Sequence, residues 1–219
     1  MRHSFRVGIS ALAALSLALT AGAAGGPVLH PSGFGEHSYS SWKGGEGLPD
    51  THGAKEQALY FQKQTATTTF AAGVAVIKGF EGMPSSAVLP LEFDWRMDGH
   101  CGAGAPRFNV RIETAPMVRQ TIFVGCAGMV PGAITLDDDG TWQRRTFAGP
   151  LPPGEIVSLS IVFDEGNDVG PGLVYLDNIR VGQHVWTSAS DNGSGETIMQ
   201  SSTPLQTLLG EDVAAALGG

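Results

Sequence analysis

The residues best suited to chemistry are two carboxylates placed two positions apart, Glu92 and Asp94. Side chains alternate between the two faces of a β-strand, so both carboxylates lie on one face of a predicted strand, together with Arg96. Apolar residues occupy the opposite face: Leu91, Phe93, Trp95 and Met97. A pair of carboxylates could serve acid–base catalysis, and a row of charged groups could instead line a ligand-binding face or form ion pairs in solvent.

A second stretch repeats this alternation, with Asn109 and Arg111 on one face and Phe108, Val110 and Ile112 on the other. If both strands belong to one sheet, the five polar residues form a single surface. Such a surface is typical of glycan binding, where polar groups bond to sugar hydroxyls beside an aromatic platform. The alternative is a flat ladder of opposite charges that neutralise each other across strands.

Asp177 interrupts an otherwise apolar strand, Leu173 to Val181. At period two it shares a face with Tyr175, Ile179 and Val181, so it is expected to be buried. A buried carboxylate needs a hydrogen-bond donor, a cation or a metal ion, because burial of a bare charge is costly. The sequence therefore predicts a specific partner for Asp177.

The start of the chain predicts export. Arg2 and Arg6 precede an apolar run, Val7 to Ala18, which leads to small residues suited to cleavage after Ala23 or Ala24. This is the pattern of a secretory signal peptide, spanning residues 1–23, and the apolar run is too short for a membrane anchor. We therefore expect a secreted chain without membrane insertion.

Charge and cysteine content agree with export. Lys and Arg number 13 against 21 Asp and Glu, a formal charge of −8, which argues against nucleic acid as a partner. Cys101 and Cys126 are the two cysteines, and in an oxidising compartment they are predicted to form a disulfide between neighbouring strands. Closing a loop of about 26 residues stabilises the fold by about 3.5 kcal/mol in the chain-entropy model.

Composition divides the chain into four parts. Residues 24–57 are rich in Gly, Ser and His and predict a flexible leader, and residues 58–186 predict a β-sandwich of two antiparallel sheets. Residues 187–219 predict a linker and a short helical tail, with Thr203 and Pro204 as the helix start. The predicted strands are Leu59–Gln64, Thr67–Phe80, Val88–Met97, Arg107–Thr114, Arg119–Cys126, Thr141–Phe147, Ile156–Asp164 and Leu173–Val181.

The second half of the sandwich resembles a known family. Thr141 to Phe147 opens with a Trp, an apolar strand follows at Val157 to Asp164, and Val174 to Ile179 carries a Tyr-x-Asp-Asn pattern. This succession resembles the carbohydrate-binding modules with a galactose-binding-like jelly-roll fold. The resemblance implies a jelly roll, carbohydrate binding, and a structural calcium ion held partly by Asp177. Asp177 satisfied by backbone amides or an arginine is the alternative.

An enzyme is not expected. Secreted β-sandwich glycosidases of the laminarinase type carry two glutamates flanking an aspartate on one strand, and Glu92 and Asp94 match the first two. Arg96 and Met97 occupy the positions where the second glutamate would stand. We therefore predict a non-catalytic binding protein for carbohydrate or a cell-surface glycan, with Glu92, Asp94, Arg96, Asn109 and Arg111 as binding residues. A structural or protein-interaction domain without a small ligand is the alternative.

Overall fold

The computed structural model describes residues 26–49, 56–168, 170 and 172–192. The predicted signal peptide and the predicted C-terminal helix both lie outside these residues. The strands are β1 (Val28–Phe34), β2 (Ser38–Gly44), β3 (Gln57–Lys63), β4 (Ala72–Lys78), β5 (Leu91–Arg96), β6 (Arg107–Ala115), β7 (Val118–Gly125), β8 (Val130–Asp137), β9 (Gly140–Phe147), β10 (Glu155–Phe163), β11 (Leu173–Val181) and β12 (His184–Trp186).

These strands form two sheets in which every paired neighbour is antiparallel. The smaller sheet has the order β1-β4-β10-β6-β7, and the larger has the order β2-β3-β11-β5-β9-β8, with β12 paired to β11. The predicted all-β, two-sheet architecture is therefore confirmed. No helix in the described residues is long and apolar enough to cross a membrane.

The core lies between the two sheets and is built from the apolar faces predicted by alternation. Phe93 on β5 and Phe108 on β6 stack across it with ring centroids 5.7 Å apart. Trp95 is 9% exposed and donates its indole N–H to the Gly99 carbonyl at 3.2 Å. Each large apolar side chain buried in this way contributes about 1.5–3 kcal/mol to the transfer term of folding.

The disulfide between Cys101 and Cys126 is present, with the two Cα atoms 5.3 Å apart. Cys101 lies in the loop after β5, and Cys126 begins a short 3-10 turn after β7. The pairing of the two cysteines is therefore confirmed. The bond joins two loops at one end of the sandwich, however, and not two neighbouring strands as predicted.

The leader predicted for residues 24–57 is wrong over much of its length. β1 and β2 occupy it, and Leu29 of β1 is fully buried in the core. β1 pairs with β4 along seven residues, and β2 pairs with β3 along seven. Pairing with distant strands satisfies the backbone of a segment whose own composition is only weakly strand-forming.

Two further strands differ from the prediction. β8 forms at Val130–Asp137, where no strand was expected, and β4 covers only part of the long strand expected at residues 67–80. Within the predicted linker, the Asn192 side-chain amide donates to the Leu29 carbonyl at 2.7 Å and accepts from the Leu29 N–H at 2.6 Å. These two hydrogen bonds to the Leu29 backbone are like those that a paired strand would make. They attach the segment after β12 to β1.

The five predicted binding residues do not form one surface. Glu92, Asp94 and Arg96 lie on β5 in the larger sheet, whereas Asn109 and Arg111 lie on β6 in the smaller sheet. The apolar faces of β5 and β6 meet in the core, so their polar faces point away from each other. Alternation predicted the inward and outward sides correctly but carried no information on which sheet each strand joins.

Candidate functional site

A row of tyrosines crosses the outer face of the larger sheet. Tyr60 on β3 lies directly opposite Tyr175 on β11, with ring centroids 4.9 Å apart. Tyr39 on edge strand β2 follows at 5.8 Å from Tyr60 and is 38% exposed. We call Tyr39, Tyr60 and Tyr175 the tyrosine row. It presents one accessible ring at the sheet edge, supported by two rings further inside the sheet.

Two cations pack on the tyrosine row. The Lys43 ammonium lies 5.7 Å from the Tyr39 ring centroid and 5.5 Å from that of Tyr60. The Arg96 guanidinium lies 3.6 Å from the Tyr175 ring centroid. Such cation–π contacts fix the orientation of the rings and keep positive charge beside them.

Burial also changes the acidity of the row. It raises the pKa of the Tyr60 hydroxyl to about 12, with further contributions from Tyr39 and Tyr175. The hydroxyl donates a hydrogen bond to Oε1 of Gln62 at 2.7 Å. Tyr60 therefore stays neutral over the physiological range, and Gln62 lies beside the exposed end of the row.

Arg96 is held by acidic partners. Its Nη1 lies 2.7 Å from Oε2 of Glu46, and its Nε lies 2.9 Å from Oδ1 of Asp98. Burial alone would lower the pKa of Arg96, but its hydrogen bonds to Glu46 and Asp98 outweigh burial and raise it. Arg96 is thus a positioned charge that joins β5 to the loop after β2 and is not a loose surface cation.

Asp94 and Glu92 are likewise committed to neighbours. Asp94 forms two contacts with Arg144 on β9, one at 2.7 Å, and accepts from the Asn178 side chain at 2.7 Å. The hydrogen bond with Asp94 raises the pKa of Arg144. Glu92 accepts from the Thr146 hydroxyl at 3.0 Å and pairs with Arg180 at 3.3 Å. This part of the face is a ladder of opposite charges, but the arginines that pair with Asp94 and Glu92 are Arg144 and Arg180 and not those of the predicted surface.

Asp177 is 1% exposed, as predicted, and the structure identifies donors for both of its oxygens. Oδ2 accepts from the Leu48 N–H at 2.7 Å, and Oδ1 accepts from its neighbour Asn178 N–H at 2.6 Å. Gly47 passes so close that a Cβ atom there would stand 2.9 Å from Oδ2. The loop after β2 therefore folds onto the sheet through Asp177.

The predicted face of Asp177 is wrong. The pairing of β11 with β5 shifts between Asp177 and Arg180, and Asn178 has a left-handed φ of 45°. This bulge changes the phase of alternation. Tyr175 and Asp177 consequently lie on the outer face, whereas Ile179 and Val181 lie in the core.

The contacts that the structure shows for Asp177 are those of a hydrogen-bond acceptor, and the calcium ion that the family resemblance implied stays a prediction. Calcium takes six to eight oxygen ligands, but the described neighbours offer Asp177 backbone N–H groups. The carboxylate paired opposite, Asp94, already receives donors from Arg144 and Asn178. Among the described residues, no three His, Cys, Asp or Glu side chains form a group that could hold a metal ion. Asp177 is thus an acceptor for backbone donors, which is the alternative left open by the sequence.

Asn109 and Arg111 belong to a different environment on the smaller sheet. Asn109 is 6% exposed and accepts from Nε of Arg107 at 2.9 Å, and Arg107 pairs with Asp164 at 2.7 Å. The Arg107 guanidinium also lies 5.3 Å from the ring centroid of Phe123, which is 49% exposed. This face has its own aromatic residue and provides a natural comparison for the tyrosine row.

Sequence reasoning missed the tyrosine row and Glu46. Tyr39, Lys43 and Glu46 fell in the segment expected to be a leader, where Tyr39 and Trp42 stand three positions apart and give no period-two pattern. No family model matches the sequence, and comparisons with curated proteins and with solved structures find no significant match. The function must therefore be inferred from the side-chain geometry of the two sheets.

Proposed function

We propose that this protein is an exported, non-catalytic binding protein for carbohydrate of the jelly-roll type, and that the tyrosine row is its binding surface. The observation that carries the proposal is Tyr39, an exposed ring at the sheet edge. Its neighbours supply donors and acceptors at fixed positions through Lys43 and Gln62. Sugars present apolar C–H faces that stack on aromatic rings and hydroxyls that need polar partners.

Two parts of the outer face have different roles in the proposed mechanism. Tyr39 stacks against a sugar ring, and Lys43 donates to its hydroxyls. Arg96 fixes the inner end of the row by packing on Tyr175 and pairing with Glu46. Glu92 and Asp94 stabilise strand pairing beside the tyrosine row and do not contact the sugar. Preorganisation of this kind lowers the entropic cost of binding.

An adsorption screen tests this function. The purified protein is incubated with insoluble cellulose, chitin, xylan and mannan, and the unbound fraction is measured. We expect binding to at least one of them and about tenfold weaker binding for Tyr39→Ala, equivalent to about 1.4 kcal/mol. Phe123→Ala, which removes an exposed ring from the other sheet, serves as the matched control and should bind like the unmodified protein. Equal weakening by both substitutions would remove the tyrosine row from consideration.

A second candidate, a protein-interaction domain, is favoured by one specific observation. β8 is an edge strand of the described sheet, and its Ile134 and Leu136, which lie on one face, are 59% and 79% exposed. Exposed aliphatic side chains grouped on an edge strand are typical of surfaces that another chain covers. The two functions use different surfaces and are compatible in one molecule.

A further inference from the structure

The two sheets end unequally on the side of β7, β9 and β8. The smaller sheet ends at β7, whereas the larger continues beyond β5 through β9 to β8. On β9, Phe147 packs against the core and Arg145 lies over the core residue Trp95, so these alternate positions point between the sheets. Gln143 and Thr141 follow the same alternation.

β8 has side chains on the same inward side of the larger sheet, and it lies beyond the edge of the smaller sheet. Ile134 pairs with Gln143 and Leu136 with Thr141, so both aliphatic side chains point to the inter-sheet side. They remain 59% and 79% exposed, because none of the described strands of the smaller sheet lies across from them. The larger sheet thus presents an apolar inner surface for which the described residues provide no second layer.

Arg145 adds an uncompensated charge at this place. Its guanidinium lies 5.1 Å from the Trp95 ring centroid, and among the described residues it has no carboxylate partner. Its Nε atom is buried and has no hydrogen-bond acceptor in that part of the chain either. Other arginines each pair with a carboxylate: Arg96, Arg107, Arg119, Arg144 and Arg180. Burial without an acidic neighbour lowers the pKa of Arg145, and a partly buried cation of this kind gains most from an anion supplied from outside.

The edge of the smaller sheet provides the remaining element. β7 is hydrogen-bonded to β6 and has no second neighbour in the described sheet. An extended segment can add to such an edge through main-chain hydrogen bonds, with alternate side chains giving specificity. A strand added to β7 would extend the smaller sheet by one strand. This strand would lie opposite β8, at the usual spacing of about 10 Å between packed sheets.

We propose that an extended peptide segment of a partner protein adds to β7, with its inward side chains being aliphatic except for one carboxylate. The aliphatic groups cover Ile134 and Leu136, and the carboxylate pairs with Arg145. Charge complementarity selects this occupant. The chain carries a formal charge of −8, yet the group at this position that lacks a carboxylate partner within the described part of the chain is a cation, Arg145. The site is on the opposite side of the larger sheet from the tyrosine row and is independent of the proposed carbohydrate function.

Fluorescence anisotropy tests the proposal with a labelled nine-residue peptide, Val-Thr-Val-Thr-Glu-Thr-Val-Thr-Val, which places two valines on each side of the glutamate because Ile134 and Leu136 both lie on the same side of Arg145 along β8 and β9. We expect saturable binding to the purified protein and at least tenfold weaker binding to Arg145→Gln. Ile134→Lys should also weaken binding. The matched controls are Arg180→Gln, which removes an arginine already paired with Glu92, and Val185→Lys on β12, and both should bind normally.

A second peptide keeps the test independent of how well the variants fold. Replacing its central glutamate by lysine should abolish binding to the unmodified protein. Equal binding of the two peptides, or equal binding by Arg145→Gln and Arg180→Gln, would overturn the proposal. Sedimentation of the protein without peptide tests for a dimer. A concentration-dependent dimer that Ile134→Lys abolishes would show that a second copy of the chain covers this surface. That result would also overturn the proposal.

Discussion

Replacing Asp177 by alanine should destabilise the protein strongly, although the residue lies outside the main core. The substitution leaves the Leu48 and Asn178 N–H groups without their acceptor in a place where Asp177 is 1% exposed. A hydrogen bond to a charged group contributes about 1.5–3 kcal/mol, and an orphaned buried donor costs a similar amount. Since the two bonds share one carboxylate and one of them is local, we expect a loss of about 3 kcal/mol.

Thermal unfolding measures this loss. For a domain of this size, about 3 kcal/mol corresponds to a decrease in Tm of roughly 6–12 °C. Asp98→Ala is the matched control, because its carboxylate pairs with Arg96 but its side chain is 59% exposed, and it should lower stability by only tenths of a kcal/mol. Equal Tm values for the Asp177→Ala variant and the unmodified protein would refute the account of how the loop after β2 is anchored.

The same assay examines the calcium ion that the family resemblance implied. Because Asp177 already accepts from two N–H groups, we expect a chelator to leave the Tm of the unmodified protein unchanged. A chelator that lowered this Tm to the value of Asp177→Ala would instead establish a bound cation, since a ligand of the native state stabilises it by mass action.

Three further perturbations test other parts of the fold. Replacing Cys101 and Cys126 together by serine should lower the free energy of unfolding by about 3.5 kcal/mol in urea titrations, and reduction of the unmodified protein should have the same effect. Lys63→Met should cost about 2–3 kcal/mol in the same titration, because the buried ammonium donates to two loop carbonyls at 2.7 and 3.1 Å; an unchanged midpoint would contradict this role. Tyr60 has a folded-state pKa raised to about 12 from about 10, so its contribution is fully present below pH 10 and is lost as the pH rises towards 12; Tyr60→Phe should flatten the decline in stability over that window.

The alternation of apolar and polar residues predicts best those strands that have one face in the core and the other face in solvent. Alternation around Phe93, Phe108 and Ile161, all three buried, indicates β5, β6 and β10, although Met97, expected on the apolar face of β5, lies after the strand and is 42% exposed. β1 was missed because Pro31 and Gly33 weaken its local pattern, and its formation depends on pairing with β4. Local composition cannot predict such a pairing, because the hydrogen-bond partners lie on a strand that is distant in the sequence.

The positions of the candidate site residues depend on strand pairing, which the periodicity of the sequence does not reveal. The assignment of β5 and β6 to different sheets separated Asn109 and Arg111 from Glu92, Asp94 and Arg96. The bulge after Asp177 shifted the alternation of β11, so that Tyr175 lies beside Tyr60 on the outer face while Ile179 lies in the core. Both features arise from long-range pairing and from one left-handed residue, Asn178, so neither is visible in a single sequence.

The most direct test of the proposed function is a map of where a sugar binds. Backbone amide shifts are recorded by NMR while a soluble oligosaccharide of the polysaccharide selected in the adsorption screen is added. We predict that the shifts of Tyr39, Lys43 and Gln62 change in a saturable manner, and that those of Asn109 and Phe123 on the other sheet do not. Saturable changes confined to Asn109 and Phe123, or no saturable change at any described residue, would contradict the assignment of carbohydrate binding to the tyrosine row.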